Sequence, residues 1–110
     1  VKKQNTPSPA VEAMQQHAAK AEALLKELAN ANRLMVLCHL VSGEKTVSNI
    51  ADAVGLSQSA LSQHLARLKE AGLVESEKRG LMVHYRLCSV EVQALLAVLH
   101  LIFCREPTLD

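Results

Sequence analysis

Three thiols and one slim polar ridge are the parts of this 110-residue chain with chemistry to offer. Cys38, Cys88 and Cys104 act as nucleophiles or metal ligands only when ionised. A free thiol of pKa about 8.5 is a few per cent thiolate at pH 7, so exposure and neighbours decide whether it reacts. His100 and Cys104 stand four apart in a helical pattern and are therefore adjacent. An imidazole there can tune the thiol or join it on a metal, yet two ligands fall short of the number zinc takes. Cys38 lies at the edge of an apolar stripe, where cysteine commonly serves as a small core residue. Spacing alone does not bring Cys38 and Cys104 together.

The ridge is Ser57, Gln58, Ser59, Ser62, Gln63 and Arg67. At 100° per residue from Gln58, the side chains Leu61, Leu65 and Leu68 share one stripe that must be buried. His64 lies near that stripe and reads as structural. Ser59, Gln63, Ala66 and Glu70 lie opposite, with Ser62 and Arg67 on the flanks. Such a face is narrow enough to enter a DNA major groove. Ser can bond phosphates or bases, Gln suits adenine, and Arg suits guanine or phosphate. The helix N-terminus adds free backbone N–H groups for a phosphate. An ordinary amphipathic surface helix has a polar outer face too, and periodicity leaves that reading open. Downstream, Lys78, Arg79, His84 and Arg86 make a basic hairpin, with Val83, Tyr85 and Leu87 alternating to the other side. From Ser57 to Cys88 five basic residues stand against three acidic, an excess that could follow a phosphate backbone. A merely solvated hairpin is the plain alternative.

Periodicity and capping residues place these groups on elements. Residues 1–8 read as a frayed tail, because Pro7 and Pro9 resist a helix interior. Pro9 to Leu28 is Ala-rich and helix-favouring. Asn30 or Asn32 caps a second helix that ends at Ser42-Gly43. Thr46 caps a short helix to Val54, closed by Gly55, and Ser57 caps another from Gln58 to Ala71, closed by Gly72. Leu73 to Lys78 and Met82 to Leu87 read as strands around Arg79-Gly80-Leu81. Ser89 caps a last helix to about Cys104, stopped ahead of Pro107. The expectation is one domain over residues 9–105, with a tail over 106–110. Its class is mainly α with a small β-hairpin, in the order α-α-α-α-β-β-α. A short helix, a Gly turn, a second helix and then a hairpin make a winged helix-turn-helix.

Composition narrows the function classes. Apolar residues are 49% of the chain but only Tyr85 and Phe103 are aromatic, so the core must be built from aliphatic side chains. A net charge of +1 gives no global field for a polyanion, so any DNA contact must come from local clustering. No apolar run approaches the roughly 18 residues of a membrane span, and Val1 to Pro9 is no secretory signal. An odd number of widely spaced cysteines is not a secreted disulfide framework, and a cytoplasmic location follows as the expectation. No Gly-rich phosphate loop or thiol beside an acid–base pair is present, so neither an enzyme nor a cofactor is expected.

The run LSQSALSQHLARLKEAGLV from Leu56 to Val74 resembles the signature of the ArsR family of winged-helix repressors. Leu28 to Leu34 and Val83 to Leu87 are similar to that family too. The resemblance implies a homodimer on double-stranded DNA at an imperfect palindrome, joined through its first and last helices. The last helix agrees, since Val90 to Phe103 leaves only a narrow polar strip and calls for a covering partner. Many members of that family sense metals. Their Cys-x-Cys site would fall within Thr46 to Asp52, which has no sulfur, and their Asp-x-His site on Ser89-Val90-Glu91, so no metal site is expected. A branch of BigR, SqrR and HlyU type carries one cysteine in the second helix and one in the last. Persulfide, polysulfide or oxidants crosslink that pair within a subunit. The resemblance puts Cys38 and Cys104 in those two places and leaves Cys88 a bystander. It implies a repressor switched by reactive sulfur or oxidants. The alternatives are a regulator without a thiol switch acting as activator or anti-repressor, a metal-responsive repressor, or a winged helix used only for protein contacts.

Overall fold

The computed structural model describes residues 8–104. The expected tails lie outside the described residues, with one correction: Ser8 is not part of a tail. Its Oγ accepts from Val11 N at 3.3 Å and caps α1, Pro9–Leu28, with Pro9 at the helix start where a missing N–H costs nothing.

Asn30 caps α2, Ala31–Val41, by accepting from Arg33 N at 3.0 Å. Arg33 is buried, and its guanidinium donates to the carbonyls of Glu27 and Lys26 at 2.8 and 2.9 Å. Carbonyls at the end of a helix lack intrahelical partners, so Arg33 satisfies the end of α1 and fixes α2 against it. Thr46 caps α3, Val47–Val54, and Ser57 caps α4, Gln58–Glu70. Beyond α4, Gly72 takes φ +80°, while Gly72 N and Leu73 N each reach back to Lys69 O and Leu68 O at 3.0 Å. That left-handed residue closes the helix as a Schellman motif and turns the chain into the wing.

The wing is β2, Val74–Arg79, paired antiparallel with β3, Met82–Leu87. Arg79 belongs to the strand, not the turn, which is Gly80-Leu81 alone. Only Gly80 has positive φ there, +63°, as a two-residue II′ turn requires. A two-residue strand β1, Lys45–Thr46, also pairs with Tyr85 and His84, so the sheet has the order β1-β3-β2. β1 is too short to show alternation in sequence. The last helix, α5, spans Val90–Phe103.

Leu61, Leu65 and Leu68 are fully buried and meet Val36 and Leu37 of α2, Ile50 of α3, Val74 of β2 and Val92 of α5 in one core. On α5 only Val92 and Leu96 are buried against the chain itself. Val90, Val98, Leu101, Ile102 and Phe103 stay exposed, with Met14 and Leu25 of α1. The radius of gyration is 18.1 Å, against about 13 Å for a compact chain of 100 residues.

Leu65→Ala should lower the unfolding free energy by about 2–5 kcal/mol, whereas Ser59→Ala on the opposite face should change it by under about 0.5 kcal/mol. Chemical denaturation of both variants checks the orientation of α4. Equal losses would contradict it.

Candidate nucleic-acid interface and thiol pair

The N-terminal half of α4 presents the expected ridge. Ser59, Ser62 and Gln63 are exposed, and among the described residues their side chains make no hydrogen bond. His64 is half-buried beside the leucine stripe. Two other members of the ridge are engaged locally. Ser57 Oγ accepts from Ala60 N at 3.2 Å as the cap, and Gln58 Nε2 donates to Ser48 Oγ of α3 at 3.3 Å. Gln58 and Ser62 line a cleft of about 300 Å³ whose other wall is the wing tip, Leu81 to Val83. Arg67 turns away from the ridge. Its Nε donates to Glu27 Oε1 of α1 at 2.9 Å, and the same carboxylate lies 3.7 Å from the buried Arg33.

The hairpin corrects the expectation of a basic wing. Cross-strand register places Glu75 opposite Arg86 and Glu77 opposite His84, which puts acids and bases on one face. Arg86 Nε donates to Glu75, and Arg79 Nη2 to Glu77 Oε1 at 2.9 Å. Glu44, from the loop before β1, completes the group with a two-point contact to Arg79. Hydrogen bonds from Arg79 hold both Glu44 and Glu77 below the usual carboxylate range, with its positive charge adding to the effect. In return those hydrogen bonds raise the affinity of Arg79 for its proton. Lys78 pairs in register with Val83, on the face opposite this cluster, and is exposed. Among the described residues it makes no ion pair.

Two of the three thiols share one cleft. Cys38 of α2 and Cys104, the C-terminal cap of α5, line a single apolar cleft of about 150 Å³ with Leu34, Leu96, Phe103 and His100. Burial pushes the Cys38 thiol above its ordinary value, and the nearby Cys104 adds to the shift. Cys104 is exposed. Cys88 is remote in the fold: its Sγ donates to Gly72 O at 3.4 Å beside the wing, and partial burial followed by the charge of Glu75 pushes it upward too. Among the described residues no three His, Cys, Asp or Glu side chains group so as to hold a metal ion. None of the described helices is long and apolar enough to cross a membrane.

A helix-turn-helix whose second helix has a free outer face, followed by an antiparallel wing, is the architecture of winged-helix DNA-binding regulators. Comparison with known proteins agrees. Residues 30–76 match the family described as bacterial regulatory protein, arsR family. The transcriptional activator HlyU of Vibrio cholerae is 46% identical over 92 residues, spanning 84% of this chain and 85% of that protein. Its reduced form superposes with a TM-score of 0.80 over 86% of this chain and 99% of that one. The biofilm growth-associated repressor of Xylella fastidiosa is 37% identical over 95 residues, 86% of this chain and 83% of that protein. The structure of the Xylella fastidiosa repressor BigR, likewise 37% identical, gives a TM-score of 0.82 over 86% of this chain and 97% of that one. A homodimeric winged helix-turn-helix DNA-binding domain from Mycobacterium bovis, 32% identical, aligns with a TM-score of 0.66 over 90% of this chain and 89% of that one. The chain belongs to the ArsR family of bacterial transcriptional regulators, and within it HlyU and BigR are the relatives that the sequence reading expects.

Because Cys38 is half-buried with a raised pKa and Cys104 is exposed, an alkylating reagent at neutral pH should label Cys104 first. Labelling of Cys38 should lag and keep accelerating as pH rises beyond the ordinary thiol range. Peptide mass spectrometry over time checks the order. Faster labelling of Cys38 would contradict the burial.

Proposed function

We propose that the chain is a homodimeric, sequence-specific DNA-binding repressor whose operator affinity falls when Cys38 and Cys104 become joined. The observation that carries this reading is the shared cleft: two thiols 66 positions apart in sequence line one apolar pocket between α2 and α5. The link needs an oxidant. Two thiols and one sulfane sulfur from a polysulfide give a disulfide and hydrogen sulfide. With peroxide the two thiols give a disulfide and two waters.

Ser59, Ser62 and Gln63 serve as base-reading or phosphate-contacting groups, with Ser57 and Gln58 at the helix start near the phosphates. Lys78 supplies a phosphate contact from the wing, and Arg67, Arg79, His84 and Arg86 do so after leaving their carboxylate partners. The exposed apolar faces of α1 and α5 join two subunits, which sets two copies of α4 on the half-sites of an imperfect palindrome. The protein's place of action is the cytoplasm, where the chromosome lies.

A bridge between α2 and α5 closes a loop of about 66 residues, which the chain-entropy model values at roughly 4 kcal/mol. Releasing a promoter takes only a few kcal/mol of lost operator affinity. The bridge need only favour a spacing of the two α4 helices that no longer fits the half-sites. An activating or anti-repressing role is the second reading, supported by the 46% identity to a protein named as the transcriptional activator HlyU.

A binding assay on the upstream region of its own operon, at fixed salt and with reduced protein, should show specific binding that polysulfide abolishes. Mass spectrometry should then show a bridge between Cys38 and Cys104. Cys38→Ser should bind DNA normally and ignore the treatment; release of DNA by that variant would rule out the switch. Gln63→Ala should cost about 1–3 kcal/mol of operator affinity. Unchanged binding by that variant would contradict the reading role of α4.

A further inference from the structure

The loop between α2 and β1 carries one carboxylate into the middle of the wing's cations. Glu44 Oε1 and Oε2 accept from Arg79 Nη1 and Nη2 at 2.8 and 2.9 Å, a two-point fork of the kind guanidinium makes with carboxylate or phosphate. The same carboxylate stands 3.5 Å from His84 Nδ1 and 3.9 Å from Arg86 Nη1. Glu77 and Glu75 occupy the remaining reach of Arg79 and Arg86. Lys78, Arg79 and Arg86 are thus matched by Glu44, Glu75 and Glu77, and the wing as a whole offers a duplex no net positive charge. Yet the guanidinium side chains are 47% exposed for Arg79 and 49% for Arg86. Ion pairs at that exposure are weak enough for another anion to compete.

We propose that Glu44 is an internal stand-in for a DNA phosphate, holding the wing arginines until a duplex backbone displaces it. This rests on the DNA-binding reading above. Glu44 is a positioning residue that acts through Arg79 and Arg86, and its effect is on affinity for any duplex, not on the ratio between operator and other sequences. Phosphate contacts raise affinity for any sequence, whereas base edges distinguish one sequence from another. A carboxylate that competes for the phosphate-contacting groups lowers binding to every duplex. Recognition is then left to the ridge of α4. Among Glu44, Glu75 and Glu77, only Glu44 comes from outside the hairpin, so removing its charge releases the two-point contact on Arg79 and leaves the single bond to Glu77 and the cross-strand pairs in place.

Operator and non-operator duplexes titrated over about 50–200 mM salt test the assignment. Glu44→Gln should bind both duplexes about fivefold tighter at ~0.1 M salt, with the log–log salt slope steeper by about 0.9 for each guanidinium released to a phosphate. Adding Arg79→Gln should remove that gain, because the released group is gone. If Glu44 only braces the wing, Glu44→Gln will bind more weakly, or equally with an unchanged slope, and either result overturns the proposal. The wild-type protein in the same titration separates the two levels. Wild-type binding to operator keeps the DNA reading whatever Glu44 does, and failure to bind any duplex removes both.

Discussion

The seating of Leu61, Leu65 and Leu68 in the core is the constraint on which the rest of the structure depends. These side chains lie on one stripe of α4 and are fully buried against α2, α3 and the wing. Once that stripe is fixed, helical geometry leaves no freedom about what points outward: Ser59, Ser62 and Gln63 must. The same burial holds Gly72 and the start of β2 in place, since the turn after α4 is closed by bonds from Gly72 and Leu73 back to Lys69 and Leu68. The position of the wing is thereby tied to the helix beside it, and the cleft between Gln58, Ser62 and the wing tip follows from this single packing event.

Electrostatics then divides the surface into two kinds of polar group. On the ridge of α4, Ser59, Ser62 and Gln63 are short neutral side chains that make no hydrogen bond among the described residues. The arginines around it are spent: Arg67 on Glu27 of α1, Arg79 and Arg86 on carboxylates at the wing. With a formal net charge of only +1, the chain has no large positive field to draw it onto nucleic acid without regard to sequence. Uncommitted neutral groups on α4 thus stand beside cationic groups already committed to carboxylates. The Arg67–Glu27 contact also joins α4 to α1, a helix that keeps the apolar side chains Val11, Met14 and Leu25 exposed.

What the sequence disclosed was local. The caps at Asn30, Thr46, Ser57 and Ser89 bond to a backbone N–H three residues on, and the 3.6-residue period needs only a few turns to show itself, so the helix starts were legible. So was the hairpin, because Gly80 alone satisfies its turn. The pairs that define the candidate site were not legible, since their members are far apart in the chain. Arg79 and Glu44 are 35 residues apart and Arg67 and Glu27 are 40 apart, and nothing in either neighbourhood marks the partner. For that reason a count of charges from Ser57 to Cys88 suggested a basic wing that Glu44 in fact neutralises. Two-residue β1 escaped notice because it exists only by pairing with Tyr85 and His84. Cys38 and Cys104 could be matched through family resemblance, but only the packing of α2 on α5 shows them lining the same cleft.

The central claim is that the outer face of α4 lies against duplex DNA. A photoreactive side chain placed at residue 59 or 63, and for comparison at Gln93 on the exposed side of α5, tests it directly in the presence of operator and an excess of unrelated duplex. Crosslinks to operator DNA from 59 and 63 and none from 93 are the predicted result. Crosslinks from 59 and 63 to protein alone, or to DNA equally from all three positions, would contradict it.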